Sequence, residues 1–195
     1  MRLEKIDKRM FEYLGHLRFG KVDHNDLTWQ QYMQTPSSDW VFPTEMEAYF
    51  EKVFVKNKDI LTNKRVLDVG CEYGNKIPWF DKFKPKQLTC IDPDKECIDI
   101  ASYAARLVET DTKCEVSMAE DYDLTADTVF ILSVNHHLQD QYLVFDKLQC
   151  QHLVIDTWTN KVPLQEIEHR LNVKFYLESR HDLKKDRVVL RYRKK

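Results

Sequence analysis

Leu3, Ile6, Met10, Leu14 and Leu17 recur at spacings of three and four, the stripe of an amphipathic helix, with Gly20 just beyond its end. Residues 21–43 lose that period. Trp29, Tyr32, Trp40 and Phe42 stand there among Pro36, Ser37, Ser38 and Pro43, which predicts a loop with one short helix. Thr44-Glu45-Met46-Glu47 has the form of a capping box and opens a helical apolar face of Met46, Tyr49, Phe50, Val53 and Phe54. From Lys64 short apolar runs alternate with longer amphipathic stretches, the signature of β-α-β units and a mostly parallel sheet. The pattern predicts strands at Arg65–Val69, Gln87–Ile91, Lys113–Ser117, Thr128–Val134 and His152–Asp156. Helices are predicted at Asn75–Phe83, Asp94–Glu109, Leu138–Leu148 and Pro163–Leu171, and none between Ser117 and Thr128, where the gap is too short. Val173–Ser179 and Arg187–Arg193 read as a closing hairpin, so the sheet should end with one antiparallel strand.

Length and charge narrow the classes. At 195 residues the chain predicts one domain over 1–195, with a helical cap at 1–60 and an α/β core at 61–195. Apolar residues make up 43% and charged residues 32%, which excludes disordered and fibrous classes. Thirty Lys+Arg against 32 Asp+Glu give a net charge of -2 and no global basic field for polyanions. The longest apolar run, Val129–Leu132, is far short of a membrane span, and Met1–Lys5 begins no signal-peptide core. A cytoplasmic protein without a membrane partner is expected. Cys71, Cys90, Cys97, Cys114 and Cys150 form no C-x-x-C pair and read as reduced thiols rather than a metal or disulfide framework.

Glycine is scarce, and two of the four stand at Gly70 and Gly74, where the strand Val66-Leu67-Asp68-Val69 turns into a helix. In an open α/β sheet this turn lies at the carboxyl edge, where ligands bind. A dinucleotide turn needs further glycines where Glu72 and Asn75 stand, and no phosphate-cradling G-x-x-x-x-G-K-[ST] string occurs. Asp68 repels a pyrophosphate and suits a ligand offering an ammonium group or hydroxyls.

These residues resemble the first motif of the class I, Rossmann-like S-adenosylmethionine-dependent methyltransferases, and three further segments carry the likeness in order. Cys90-Ile91-Asp92-Pro93-Asp94 is similar to the end of the family's second strand, with its ribose-binding acid. Ser117-Met118-Ala119-Glu120-Asp121 matches the place where adenine is held. Leu132-Ser133-Val134-Asn135-His136-His137-Leu138-Gln139-Asp140 looks like the segment beside the transferred methyl group. The resemblance covers roughly residues 60–195 and implies a three-layer sandwich around a seven-stranded sheet, with S-adenosylmethionine as cofactor. It implies cofactor contacts from Asp68, Gly70, Cys71, Glu72, Gly74, Asp92, Pro93, Met118, Ala119, Glu120 and Ser133, and chemistry from Asn135, His136 and His137. No metal is implied. The chain departs from the family at Glu72, where glycine is usual, and at Met118, where many relatives carry an acid.

Plainer readings stand beside these. Asp92 can instead be the N-cap of the next helix, with Asp94 a first-turn charge. The two histidines can simply open the helix after the fourth strand, and only one can face a substrate. Trp158 lies on the ligand-binding edge as a pocket candidate. The C-terminal stretch Arg180–Lys195 holds eight basic residues against Asp182 and Asp186, a solvated hairpin or else a nucleic-acid surface. The acceptor expected is a small molecule of unidentified kind; the alternatives are an RNA or DNA methyltransferase and a binding protein without transfer chemistry.

Overall fold

The computed structural model describes residue 49 and residues 51–74, 76–183 and 186–195, which belong to one compact unit, Tyr49–Lys195. The helix expected at Leu3–Leu17, the aromatics Trp29, Tyr32, Trp40 and Phe42, and the capping box at Thr44 lie outside the described residues.

Seven strands form one sheet in the order β3-β2-β1-β4-β5-β7-β6: β1 (Arg65–Val69), β2 (Gln87–Asp92), β3 (Thr112–Val116), β4 (Thr128–Leu132), β5 (His152–Trp158), β6 (Phe175–Leu183) and β7 (Arg187–Lys194). All pairings are parallel except those of β7 with β5 and β6. The expected class, with its antiparallel closing strand, is the class observed. The order reverses between β1 and β4, which opens a crevice at their carboxyl ends.

Helices α1 (Ile77–Lys82), α2 (Lys95–Ala105), α3 (Gln141–Lys147) and α4 (Leu164–Leu171) fill the crossovers. Right-handed crossovers running outward from β1 and from β4 lie on opposite faces. The side chains agree, because register partners in parallel strands share a face. Leu67, Val69, Val129, Ile131, Leu153 and Ile155 join one core with Phe145 of α3 and Ile167 of α4. On the other face Phe130 meets Phe80 of α1 edge-on at 5.1 Å, and Phe80 meets Phe54 at 4.9 Å. Both β1 and β4 are therefore buried on two faces, which explains why their sequences are runs rather than alternations.

Several boundaries differ from expectation for local reasons. Asp94, not Asp92, caps α2: its carboxylate accepts from the amides of Glu96 at 2.7 Å and Cys97 at 3.4 Å. The expected helix from Leu138 starts only at Gln141, because Asp140 is its cap, with Tyr142 and Leu143 donating at 3.0 and 2.9 Å. Asn135–His137 form a separate 3₁₀ turn, and β4 ends at Leu132 because Ser133 turns to φ +63°. The cysteines are free thiols, and only Cys114 is not buried.

Candidate active site

The turn after β1 folds back over the end of β2. Gly70 and Cys71 both donate backbone N–H bonds to the Ile91 carbonyl, at 2.9 and 3.0 Å, and Gly74 N–H closes a β-turn on the Cys71 carbonyl at 3.0 Å. Gly70 and Gly74 have positive φ, +72° and +74°, where a side chain is strained. Each is also filled by a neighbour. A Cβ on Gly70 would meet Val134 beyond β4 at 2.2 Å, and one on Gly74 would meet the Ala101 backbone in α2 at 2.8 Å. Close packing inside the fold is thus sufficient reason for both glycines. Glu72 takes φ +54° at the first central position of the turn, so this side chain stands where the backbone itself favours glycine.

Asp92 faces this turn. Its Oδ2 accepts from the Glu72 N–H at 3.0 Å and its Oδ1 from the Asp94 N–H at 3.0 Å, so the carboxylate is fixed at the lip of the crevice. A carboxylate offers about four lone-pair sites, which leaves capacity for two hydroxyl donors. Pro93, next in sequence, is exposed. The loop after β3 is tied to the same place, because Ser117 N–H donates to the Asp92 carbonyl at 3.1 Å. Met118 is half-buried there and Ala119 buried. Glu120 fastens the loop to the start of α3, accepting from the Asp140 N–H at 3.1 Å through Oε1; its Oε2 has no hydrogen-bond partner among the described residues.

Two of the residues expected at the site have buried side chains. Cys71 is fully buried, so only its backbone reaches the turn. Asp68 lies on the face covered by α1 and α2, beside Cys90 and Phe130 in register, and is 0% exposed. Its partner is Lys76, immediately before α1, whose Nζ lies 3.6 Å from Asp68 Oδ2. Burial pushes the Asp68 carboxyl up to about 6 against the pull of the Lys76 ammonium. Burial works against the Lys76 charge too, yet Asp68 and neighbouring Cys71 and Glu72 raise its pKa overall.

Across the crevice, β4 and β5 end in a second polar group. Asp156, fully buried, accepts from Tyr49 Oη at 2.9 Å, Ser133 Oγ at 3.0 Å and Arg187 Nε at 2.6 Å; Arg187 Nη2 also contacts Asp156 and Ser133. The guanidinium lies 4.2 Å from the Tyr49 ring and 5.3 Å from that of Trp158. Burial, then the Asp156 charge, holds the Tyr49 phenol well above its ordinary pKa. Asn135 is 1% exposed and neither side-chain amide atom has a hydrogen-bond partner among the described residues. His136 Nε2 lies 3.4 Å from Lys161 Nζ, and its buried Nδ1 has no partner among the described residues. An ammonium only donates, so this contact assigns the acceptor role to Nε2 and, in the neutral ring, the proton to Nδ1. Burial, then the charges of His137 and Lys161, hold His136 below its ordinary pKa. His137 is exposed, its ring 4.0 Å from that of His136.

Sequence reasoning missed Lys76, Asp156, Arg187 and Lys161. Asp156 carries the same signal as Asp68 and Asp92, a carboxylate closing an apolar strand. The lysines and Arg187 have no such mark.

A family model described as "Methyltransferase domain" matches residues 67–149, from β1 to the end of α3. The matched segment, less than half of the chain, is similar to the methyltransferase domain this model describes, in line with the resemblance to the class I, Rossmann-like S-adenosylmethionine-dependent methyltransferases. The matched segment includes the turn after β1, Asp92 and the residues that follow β4. Among curated proteins, a tRNA U34 carboxymethyltransferase from Nautilia profundicola is 27% identical over 115 residues, 57% of this chain. The alignment covers 38% of that relative, so the chain spans well under half its length. Among solved structures, a SAM-dependent methyltransferase from Aquifex aeolicus superposes with TM-score 0.61 at 17% identity, over 78% of this chain and 98% of that one. The N-methyltransferase NodS from Bradyrhizobium japonicum gives TM-score 0.61 at 16% identity, over 77% and 95%. Likeness at these identities concerns the fold. Among the described residues no helix is long and apolar enough to cross a membrane, and no group of three or more His, Cys, Asp or Glu is placed to hold a metal ion.

Proposed function

We propose that the chain transfers a methyl group from S-adenosylmethionine to a small-molecule acceptor at the crevice between β1 and β4. The observation that carries this reading is the fastening of Asp92 to the Glu72 N–H at 3.0 Å, which aims a carboxylate with spare acceptor capacity at the glycine turn. Asp92 would take the two ribose hydroxyls, the backbone from Gly70 to Gly74 the methionine end, and Met118 with Ala119 the adenine. The Met118 thioether suits a ring face. The orphaned amide of Asn135 fits a ligand group better than an empty interior, because a buried unpaired amide costs about 1–3 kcal/mol.

Bound S-adenosylmethionine supplies an electrophilic methyl group on a sulfonium whose departure needs no acid. The chain's own work is therefore holding and orienting the acceptor. Asn135 offers a donor and an acceptor, and His136 offers the Nδ1 proton. The lone pair that a general base would use is held by Lys161 at Nε2, so His136 orients the acceptor as a donor rather than deprotonating it.

An RNA acceptor is the second reading, favoured by the tRNA-modifying relative. The hairpin favours it less than its basic composition does. Arg191 pairs with Asp59 and Glu178, Arg193 with Glu178, Arg180 with Glu168 and Asp182, and Arg187 with Asp156.

Calorimetric titration with S-adenosylhomocysteine tests the proposal. Submillimolar binding is expected, weakened about tenfold or more in Asp92→Ala by loss of charge-assisted hydrogen bonds. Folded wild-type protein that binds nothing up to about millimolar, or an Asp92→Ala variant of equal affinity, refutes it.

A further inference from the structure

A buried cation, Lys76, stands beneath this turn. Asp68 is enclosed on the α1/α2 face of the sheet, where its register partners are Cys90 and Phe130 and where Phe130 packs on Phe80. From just before α1, Lys76 reaches back beneath the turn. Its Nζ lies 3.6 Å from Asp68 Oδ2 and donates to the Gly70 carbonyl at 3.4 Å, and the residue is only 8% exposed. One internal ammonium thus occupies both groups that the end of β1 offers to a cation.

We propose that Lys76 is a built-in substitute for the α-ammonium of an adenosyl amino acid, so that the site selects its ligand by the adenosyl part and discriminates little on the amino-acid part. The inference rests on reading the turn as an adenosyl site. Its physical basis is charge balance: a lone carboxylate in an apolar layer can be neutralised by one ammonium, and a second brought to the same place meets the first at close range in low dielectric. Asp68 is therefore spent on the fold, and the glycine turn is left to hold the ligand through backbone groups. Removing the Lys76 charge leaves Asp68 as the group there that can pair with the ligand's own ammonium, at a pH above the raised Asp68 value.

The test compares two probes by calorimetry on the full chain: S-adenosylhomocysteine, and 5′-methylthioadenosine, which keeps the adenosyl thioether and lacks the amino acid. In the wild type the two dissociation constants are expected to agree within about tenfold. In Lys76→Met, titrated at about pH 8.5 so that Asp68 is ionised, the preference for S-adenosylhomocysteine is expected to widen by about tenfold or more. A wild type that already prefers S-adenosylhomocysteine by more than about tenfold overturns the proposal. So does a Lys76→Met variant whose preference stays the same or narrows, the last meaning that Lys76 grips the ligand's carboxylate. If that variant does not fold, the wild-type ratio decides alone. Failure of both probes to bind folded wild-type protein overturns the adenosyl site itself, an outcome separate from a wrong ratio.

Discussion

Arg187, at the first position of β7, reaches across the antiparallel pair to Asp156 of β5, donating from Nε at 2.6 Å and contacting the second carboxylate oxygen through Nη2. Asp156 is fully buried, and Ser133 and Tyr49 complete its hydrogen bonding. Removing one partner of such a pair leaves an uncompensated charge, which typically costs about 3–5 kcal/mol. Arg187→Met is therefore expected to lower stability to urea by about that much, and Tyr49→Phe by about 1–2 kcal/mol. Arg187→Lys should recover only part of the loss, since an ammonium cannot form the two-pronged contact. Unchanged urea midpoints would show that water, not Arg187, satisfies Asp156.

The glycine turn makes a prediction of opposite signs at neighbouring positions. Glu72→Gly places glycine at φ +54° and is expected to stabilise the fold by about 0.5–1 kcal/mol, the relief of left-handed strain less the entropy of glycine. Gly74→Ala is expected to destabilise by about 1–3 kcal/mol or more, because its Cβ meets the Ala101 backbone at 2.8 Å. Thermal or urea unfolding of the two variants checks both signs. A stabilising Gly74→Ala would contradict the packing described.

His136 is held below its ordinary pKa, so as pH falls the unfolded chain takes up this proton first. The contribution of neutral His136 to stability is present above the unfolded value of about 6.5 and is lost as pH falls through the lower folded value. Lys161→Met removes one of the charges that depress it and should move the folded value upward, narrowing that window. Imidazole nitrogen NMR reads both the titration and the tautomer. A proton on Nε2, or a midpoint that Lys161→Met does not raise, would return the role of general base to His136.

Pairing of the hairpin arginines predicts weak RNA affinity. Binding of unmodified tRNA, followed from about 50 to 200 mM salt, should be weak with a shallow slope. Tight binding with a log–log slope near −6 or steeper would signify several phosphate contacts and favour the RNA acceptor.

Much of the fold was legible because burial writes itself into sequence. Strands enclosed on both faces read as apolar runs, as in Val129–Leu132, and the covering helices read as stripes. Asp92 was legible for the same reason, as a charge closing such a run. Boundaries set by single hydrogen bonds were not. Whether Asp92 or Asp94 caps α2 depends on one φ/ψ choice at Asp94, and the late start of α3 depends on Asp140. Partners far apart in sequence were not legible either. Nothing near Arg187 marks it as the mate of Asp156, and Lys76 looks like an ordinary helix-start lysine until the sheet places Asp68 beneath it.

We place an adenosyl ligand in the crevice at the carboxyl ends of β1 and β4, against the turn after β1 and Asp92 at the end of β2. Amide NMR of the isotope-labelled chain during addition of S-adenosylhomocysteine reads that placement residue by residue. Saturable shifts are expected at Gly70, Glu72, Asp92 and Ala119, with the β6–β7 hairpin undisturbed. Saturable shifts confined to other surfaces, or none in the folded protein up to about millimolar ligand, would contradict it.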